Sequence, residues 1–217
     1  MTKIAKRYSS LKSHKVFYLQ LATGILLFSA SIFFNHYAQN YTATHFSNSV
    51  SDIILDNIPT KNVDVVFLEG FMIFIAFVTF LGFHKPARIP FILKASAMFI
   101  GIRAFFMILT HLAPPLHTSV VDSQNILEHL LSGSGDDLFF SGHTGFPFLM
   151  ALIFWENIDL RWIFLATSVF YGGAVLLGHL HYSIDVFSAF FITYGIFNAS
   201  KYFFKNDYEF FLHHHKI

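Results

Sequence analysis

Residues 65–83 have the sequence VVFLEGFMIFIAFVTFLGF, in which Glu69 is the only residue that carries a formal charge. A helix of this length rises about 28 Å at 1.5 Å per residue. That rise is close to the roughly 30 Å thickness of the hydrocarbon core of a bilayer. The stretch therefore predicts a helix that crosses a membrane.

The composition of the whole chain agrees with this prediction. Of 217 residues, 54% are hydrophobic, 12% are charged and 30 are Phe, whereas a soluble domain carries about 25% charged residues. These values exclude an ordinary soluble domain. The net charge of +1 gives no reason to expect nucleic acid as a partner.

Six stretches meet or nearly meet the length of a membrane span. They are Val16–Phe34, Val65–Phe83, Phe91–Leu112, Leu138–Trp155, Trp162–Leu180 and Tyr182–Phe204. We therefore expect an all-α integral membrane protein with a bundle of six transmembrane helices. No repeat or domain boundary is visible, so residues 1–217 are predicted to form one membrane domain.

Lysine and arginine indicate how this bundle is oriented, because they are enriched in cytoplasmic loops. They cluster before the first span, between the second and third, between the fourth and fifth, and after the sixth: Lys3, Lys6, Arg7, Lys12, Lys15, Lys85, Arg88, Arg161, Lys201, Lys205 and Lys216. Both termini are therefore predicted to be cytoplasmic, with a basic arm at 1–15 and a tail at 205–217. Residues 36–63 and 113–137 are predicted to face the extracytoplasmic side.

Ionisable residues within predicted spans are costly and indicate a function or an internal pair. Four of them, Glu69, Arg103, His181 and Asp185, are predicted to lie in the outer half of the bundle. His181 and Asp185 are spaced i, i+4, which places two helical side chains on the same face. The carboxylate would then orient the imidazole and leave its other nitrogen available as a base or nucleophile. The alternative is a polar pair that satisfies itself in the core.

A second histidine lies in the segment FFSGHT, residues 139–144. Gly142 lets the backbone approach a ligand closely, and the N–H groups that open the following helix favour an anion. Two imidazoles, a carboxylate and a helix N-terminus together indicate phosphoryl transfer. One histidine could attack phosphorus while the other protonates the leaving oxygen.

Two segments, GDDLFFSGHT at 135–144 and HLHYSIDV at 179–186, resemble the sphingomyelin synthase family of the type-2 phosphatidic acid phosphatase (PAP2) superfamily. The spacing of Arg103, Thr110, Leu112 and Pro114 is also similar to that family. The resemblance covers about residues 100–200, which are expected to be the catalytic core.

The resemblance implies a catalytic role for three residues. His181 would form a phosphohistidine, Asp185 would orient it, and His143 would be the general acid and then the general base. The implied reaction moves a phosphocholine-like headgroup from a membrane phospholipid to ceramide or diacylglycerol, with the site on the extracytoplasmic face. Residues expected to bind substrate are Arg103, Ser141, Gly142, Thr144, Tyr182 and Asp136.

Some of these assignments have alternatives. Arg103 could contact the substrate phosphate or pair with Glu69, Tyr182 could enclose a quaternary ammonium or simply pack, and Asp136 could cap a helix or repel free anions. Val175 stands where the wider superfamily has an arginine, and no Lys or Arg lies between Arg103 and Arg161. This scarcity of cations favours a singly charged phosphodiester substrate over a monoester.

Two rival functions remain open from the sequence. A PAP2-type lipid phosphatase would use water as the acceptor. A small transporter would instead use Glu69, Arg103, His181 and Asp185 as a proton or ion relay. Neither a metal nor a cofactor is expected, because the chemistry uses histidine and the sequence has no carboxylate cluster to hold magnesium.

Overall fold

A computed structural model describes residues 15–45, 47–116, 118 and 138–213, and this part of the chain is helical with no β-strand. Its seven α-helices are α1 Lys15–Thr42, α2 Phe71–His84, α3 Ile89–Leu109, α4 Gly142–Ile153, α5 Ile158–Leu177, α6 Ser183–Phe203 and α7 Lys205–His213. A π-helical turn, Val66–Gly70, leads into α2, and the 3-10 turns Leu55–Asn57 and Pro86–Arg88 lie before α2 and α3.

Four helical segments of the described chain are long and apolar enough to cross a membrane: Lys15–Thr42, Val66–His84, Pro86–Leu109 and Ile158–Leu177. The protein therefore has the character of a multi-pass membrane protein. The six spans and the cytoplasmic placement of both termini stay predictions. The described part of the predicted arm is Lys15 alone, because residues 1–14 lie outside the described residues.

The fourth predicted span differs most from the helix observed there. This stretch, Leu138–Trp155, is the weakest of the six because residues 138–143 resemble a loop that enters a helix, and α4 covers only Gly142–Ile153, about 18 Å at 1.5 Å per residue. That length is too short to cross the bilayer alone. The helix begins late because Ser141 has an extended backbone and caps it, accepting a hydrogen bond from the Thr144 N–H at 3.3 Å.

The bundle places α4 at its centre. This helix packs against α5 and α6, and α1 lies along α3. The main hydrophobic core is built largely from phenylalanine, including Phe74, Phe91, Phe99 and Phe164, all of them buried. A buried α4 explains how a short helix that carries the FFSGHT motif is held rigidly.

The predicted tail begins with a helix that packs on the bundle. Asp207 of α7 pairs with Lys94 of α3 at 2.7 Å, and both side chains are buried. The Arg88 guanidinium lies 4.9 Å from the Phe211 ring centroid and 5.3 Å from that of Phe154. These contacts fasten α7 to the end of the bundle opposite the two motif segments.

Candidate active site

The two motif segments are joined by their main chains. The N–H of Ser141 donates to the carbonyl oxygen of Asp185 at 3.0 Å. The side chains of Ser141 and Asp185 are both completely buried. The resemblance assigned these segments to one site, and the structure brings them into direct contact.

His181 and Asp185 lie close together, although His181 is not in the helix as expected. It lies in a bend before α6, whereas Asp185 is the third residue of that helix. His181 Nδ1 is 3.4 Å from Asp185 Oδ2, an ion-pair distance at which no hydrogen bond forms. Catalytic hydrogen bonds are often long before substrate binds, so this geometry suits a pair that tightens on binding.

Asp185 also holds the start of its own helix. Its Oδ2 accepts a hydrogen bond from the Tyr182 N–H at 3.1 Å, as part of a capping box. Its Oδ1 is buried and has no hydrogen-bond partner among the described residues. One carboxylate therefore fixes the backbone of Tyr182 and faces the imidazole of His181.

His143 lies in an aromatic environment near the start of α4. Its Nε2 donates to the carbonyl oxygen of Phe67 at 3.1 Å, in the tautomer that this acceptor requires. Its ring stacks on Phe67 with centroids 3.9 Å apart and lies 4.2 Å from the Phe71 ring. Phe67 belongs to the π-helical turn before α2, a type of irregularity that is frequent at functional sites.

Arg103 lies against the N-terminus of α4. Its Nε donates to the carbonyl oxygen of Phe140 at 3.1 Å, and a Cβ at position 142 would be only 3.2 Å from that Nε. Glycine at position 142 therefore allows the guanidinium to reach the helix end. Arg103 does not pair with Glu69, whose side chain is exposed, so that alternative is wrong.

The remaining predicted binding residues have structural partners. Ser141 Oγ accepts from the Thr144 hydroxyl at 3.2 Å. The Tyr182 hydroxyl donates to the Ala113 carbonyl at 2.9 Å. Their contact with substrate stays a prediction. Asp136 lies outside the described residues.

Each motif segment contains a residue whose backbone is strained because its φ angle is positive. Phe139 has φ of 91° and His179 has φ of 53°, values that cost a non-glycine residue on the order of 1–3 kcal/mol. The bulky side chain of Phe139 is especially unfavourable in this region. The surrounding fold therefore imposes the direction in which each segment enters the site.

A half-open groove of about 490 Å³ leads to this site. Apolar side chains of α1, α2 and α3 line most of it, and Arg103, Gly142 and His143 line one end. Its lining residues Ile25 and Phe83 remain 51% and 60% exposed, so the groove is open along its side. His181 is 2% exposed and does not line this groove.

Among the described residues, no cluster of three or more His, Cys, Asp or Glu side chains could hold a metal ion. The absence of a cofactor requirement stays a prediction, because it concerns the reaction.

The comparison with known proteins adds to this geometry. Residues 135–202 match the family model described as PAP2 superfamily C-terminal. This segment, about a third of the chain, is similar to the C-terminal part of PAP2 superfamily proteins. The matched segment contains His143, His181 and Asp185, whereas Arg103 and the residues of α1 to α3 lie outside it.

A curated protein to which the chain is similar is Sphingomyelin synthase-related 1 of Caenorhabditis elegans. The two are 29% identical over 175 residues, which cover 67% of this chain and 36% of the relative. The chain thus spans about a third of the length of that relative. No solved structure matches the chain.

Proposed function

We propose that this protein transfers the phosphocholine-like headgroup of a membrane phospholipid to a lipid alcohol through a phosphohistidine at His181. The observation that carries this proposal is the groove that ends at Arg103, Gly142 and His143. From Ile89 to Arg103, the α3 wall of the groove is about 21 Å long at 1.5 Å per residue. Such a groove suits the acyl chain of a lipid whose polar part lies at Arg103.

The phosphate would bind at the start of α4. The guanidinium of Arg103 supplies a positive charge there, and the N–H groups of Gly142 and His143 open the helix. Opening amides and the positive end of the helix dipole favour an anion. A phosphodiester has one negative charge, which suits a site with a single arginine.

In the first step, Nε2 of His181 attacks phosphorus while the bond from phosphorus to the diacylglycerol oxygen breaks. Asp185 faces Nδ1, so it stabilises the positive charge that forms on the ring. His143 enters this step as the imidazolium: its Nε2–H donates to the Phe67 carbonyl, and its Nδ1–H gives the proton to the leaving oxygen. His143 is then the neutral ring with Nε2–H, whose Nδ1 can accept a proton in the second step.

In the second step, the hydroxyl of ceramide or diacylglycerol attacks the phosphohistidine. His143 removes the hydroxyl proton, the bond from phosphorus to nitrogen breaks, and His181 is restored. With phosphatidic acid as the donor and water in place of the alcohol, the same steps release inorganic phosphate, which is the reaction of a PAP2-type phosphatase. The reaction would occur at the extracytoplasmic face, which follows from the distribution of Lys and Arg in the sequence.

The transporter alternative has less support. A proton or ion relay would require its ionisable groups to lie within reach of one another. Glu69 is exposed and does not pair with Arg103. Glu69 and Arg103, the first two residues of this relay, therefore have no direct contact through which to pass a proton or ion.

The test is to incubate the full chain, reconstituted in bilayers, with headgroup-labelled phospholipids, with and without ceramide or diacylglycerol. Transfer of the label to the added alcohol supports the proposal, with the His181→Ala variant as the inactive control. Release of inorganic phosphate from labelled phosphatidic acid, offered as a further donor, with no transfer to either alcohol would instead assign the phosphatase reaction. No turnover of any phospholipid would reject both.

A further inference from the structure

A carboxylate outside the matched segment contacts the start of α6. Asp52 lies in the connection between α1 and α2, and its side chain is 8% exposed. Its Oδ2 accepts a hydrogen bond from the N–H of Ser183 at 2.7 Å, across 131 residues of sequence. Its Oδ1 accepts from the N–H groups of Ile54 at 2.9 Å and Leu55 at 3.2 Å.

We infer that Asp52 is a positioning residue for His181 and acts through the backbone N–H of Ser183. The inference rests on the proposed function, because positioning matters only if His181 reacts. Asp52 itself has no contact with His181. Its effect depends on how the chain enters α6.

The entry into α6 determines where the His181 ring points. His181 lies in the bend before the helix, so no helical hydrogen bonds fix its backbone. The two N–H groups that follow it are each held by a carboxylate: Asp185 accepts from Tyr182, and Asp52 accepts from Ser183. Loss of the second bond leaves Asp185, which must also face the imidazole, as the one carboxylate of this pair that still holds the entry to the helix.

A second contact ties the same connection to this entry. The N–H of Val50 donates to the hydroxyl of Tyr182 at 3.2 Å. Val50 and Asp52 thus hold two successive residues, Tyr182 and Ser183, from the same short segment. The connection between α1 and α2 acts as a brace on the bend that carries His181.

The brace also affects where an anion can bind. Carboxylates already occupy the N–H groups of Tyr182 and Ser183 at the start of α6. A substrate phosphate would be repelled there by two negative charges, whereas α4 begins beside Arg103. Asp52 therefore helps to separate the nucleophile's helix from the helix that would bind phosphate.

The cleanest variant removes the donor and keeps Asp52. Ser183 is the first residue of α6, a position where proline is favoured because its missing N–H has no partner within the helix. Tyr182 has φ of −67° and ψ of 156°, which suits a residue that precedes proline. Ser183→Pro therefore deletes the hydrogen bond with little disturbance of the helix, and the proline Cδ, which replaces the amide hydrogen, moves the Asp52 carboxylate away from that nitrogen. Ser183→Ala is the matched control that keeps the N–H.

We expect Ser183→Pro to lower kcat for headgroup transfer by about 10–100-fold, since a small displacement of a reacting group can cost about 10²-fold. The KM for the phospholipid donor should stay unchanged, because the groove and Arg103 are not altered. Ser183→Ala should retain the kcat of the wild type. Asp52→Asn should lower kcat in the same direction, and adding it to Ser183→Pro should cause no further loss, because both changes break one contact.

Several results would overturn the inference: equal loss of kcat in Ser183→Ala and Ser183→Pro, a rise in KM alone, or fully additive losses in the double variant. Hydrogen exchange tests the contact separately from the activity. Asp52→Asn should speed exchange of the Ser183 amide, whereas Asp64→Asn, which removes a carboxylate bonded to Asn62 in the same connection, should not. If the wild type turned over no phospholipid, the proposed function would fail, and unchanged exchange in Asp52→Asn would reject the contact as well.

Discussion

The N–H of Ser141 donates to the carbonyl oxygen of Asp185 at 3.0 Å, so the two motif segments are joined by main-chain atoms. A substitution of the side chain at either position leaves both atoms in place. The same holds for substitution of His143 and His181, which lie within these segments. Variants at the histidines should therefore fold, and their activities can be compared as tests of chemistry.

The first prediction separates the two histidines by role. A lipid alkoxide leaves poorly without a proton, and general acid catalysis contributes about 10²–10⁴-fold. His143→Ala should thus lose about 10²–10⁴-fold with a natural phospholipid but much less with a nitrophenyl phosphocholine analogue, whose leaving group needs no proton. His181→Ala should stay inactive with both donors.

The measurement is the rate with each donor for the wild type and the two variants. The wild type should also accumulate an acid-labile, base-stable phosphoenzyme that His181→Ala lacks. Rescue of His181→Ala, but not of His143→Ala, by the nitrophenyl donor would reverse the two assignments. Equal losses of rate with both donors would mean that His143 and His181 only bind the substrate.

The second prediction concerns the charge of the donor. Among the described residues that line the groove, Arg103 is the one Lys or Arg, and no Lys or Arg lies between Arg103 and Arg161 in the sequence. A phosphodiester donor should therefore have a higher kcat/KM than phosphatidic acid, whose phosphate monoester carries more negative charge. Competition between the two lipids in one vesicle measures this ratio directly, and a preference for phosphatidic acid would favour the phosphatase reaction.

The third prediction tests the groove. Gly82 lines the groove beside Ile89, at the end away from Arg103. A Cβ at position 82 would make an ordinary contact with Ile89 at 3.5 Å. Gly82→Leu should fill that end and shift the donor preference toward shorter acyl chains. Gly173→Leu is the matched control, because a Cβ at that position meets nothing within 4 Å and Gly173 lies outside the groove.

Donors with acyl chains of graded length, offered to both variants, give the readout. The wild type and Gly173→Leu should share one length profile, and Gly82→Leu should depart from it. An identical profile in all three proteins would mean that the acyl chain does not enter this groove.

The fourth prediction concerns acid stability. Burial raises the pKa of Asp52, whereas the hydrogen bonds from Ser183, Ile54 and Leu55 together lower it by more than burial raises it. The folded-state pKa of Asp52 therefore lies below its usual value of 3.8. The folded state then binds fewer protons at Asp52 than the unfolded state, and stability falls as pH decreases. This contribution is present above pH 3.8 and is lost as pH falls through the folded-state pKa.

The measurement is the unfolding temperature of the wild type and Asp52→Asn between neutral and acidic pH. The wild type should be more stable at neutral pH, and the difference should shrink below pH 3.8. A difference that stayed constant with pH would mean that the ionised form of Asp52 is not what stabilises the fold.

The fifth prediction concerns the opposite end of the bundle. Asp207→Asn would leave the buried Lys94 without its charged partner, and such changes cost about 3–5 kcal/mol. Glu209→Gln removes an exposed ion pair with Lys205 at 3.8 Å, which contributes about 0–1 kcal/mol. Denaturant unfolding of the two variants should show this contrast, and similar stabilities would mean that the pair at Lys94 is not important for the fold.

The sequence predicted the helical class because it depends on local signals, whereas the roles of the predicted site residues stay predictions. Apolar stretches of about 20 residues identify spans, and the segments around His143 and His181 carry a recognisable order of residues. The i, i+4 argument for His181 and Asp185 gave the right contact for the wrong reason. The contact forms because Asp185 caps α6, and His181 precedes the helix.

Other parts of the site depend on contacts that no local pattern indicates. Asp52 is one of several acidic residues in its connection, and its partner Ser183 lies 131 residues away. The carbonyl of Phe67 accepts from His143 because a π-helical turn lies at that point. Every residue has a main-chain carbonyl, so the sequence does not indicate which one accepts this hydrogen bond. The late start of α4 agrees with the loop-like sequence of residues 138–143, whereas its end at Ile153 was not predicted because apolar residues continue beyond it.

The side opening of the groove determines how such an enzyme would respond to its substrate. Ile25 and Phe83 stand at the boundary between the groove and the surrounding lipid, so a donor can diffuse in from the plane of the bilayer without crossing water. The relevant concentration is then the mole fraction of donor lipid in the membrane, a two-dimensional quantity. Diluting the vesicles in buffer should leave the rate per enzyme unchanged, whereas diluting the donor with inert lipid should lower it.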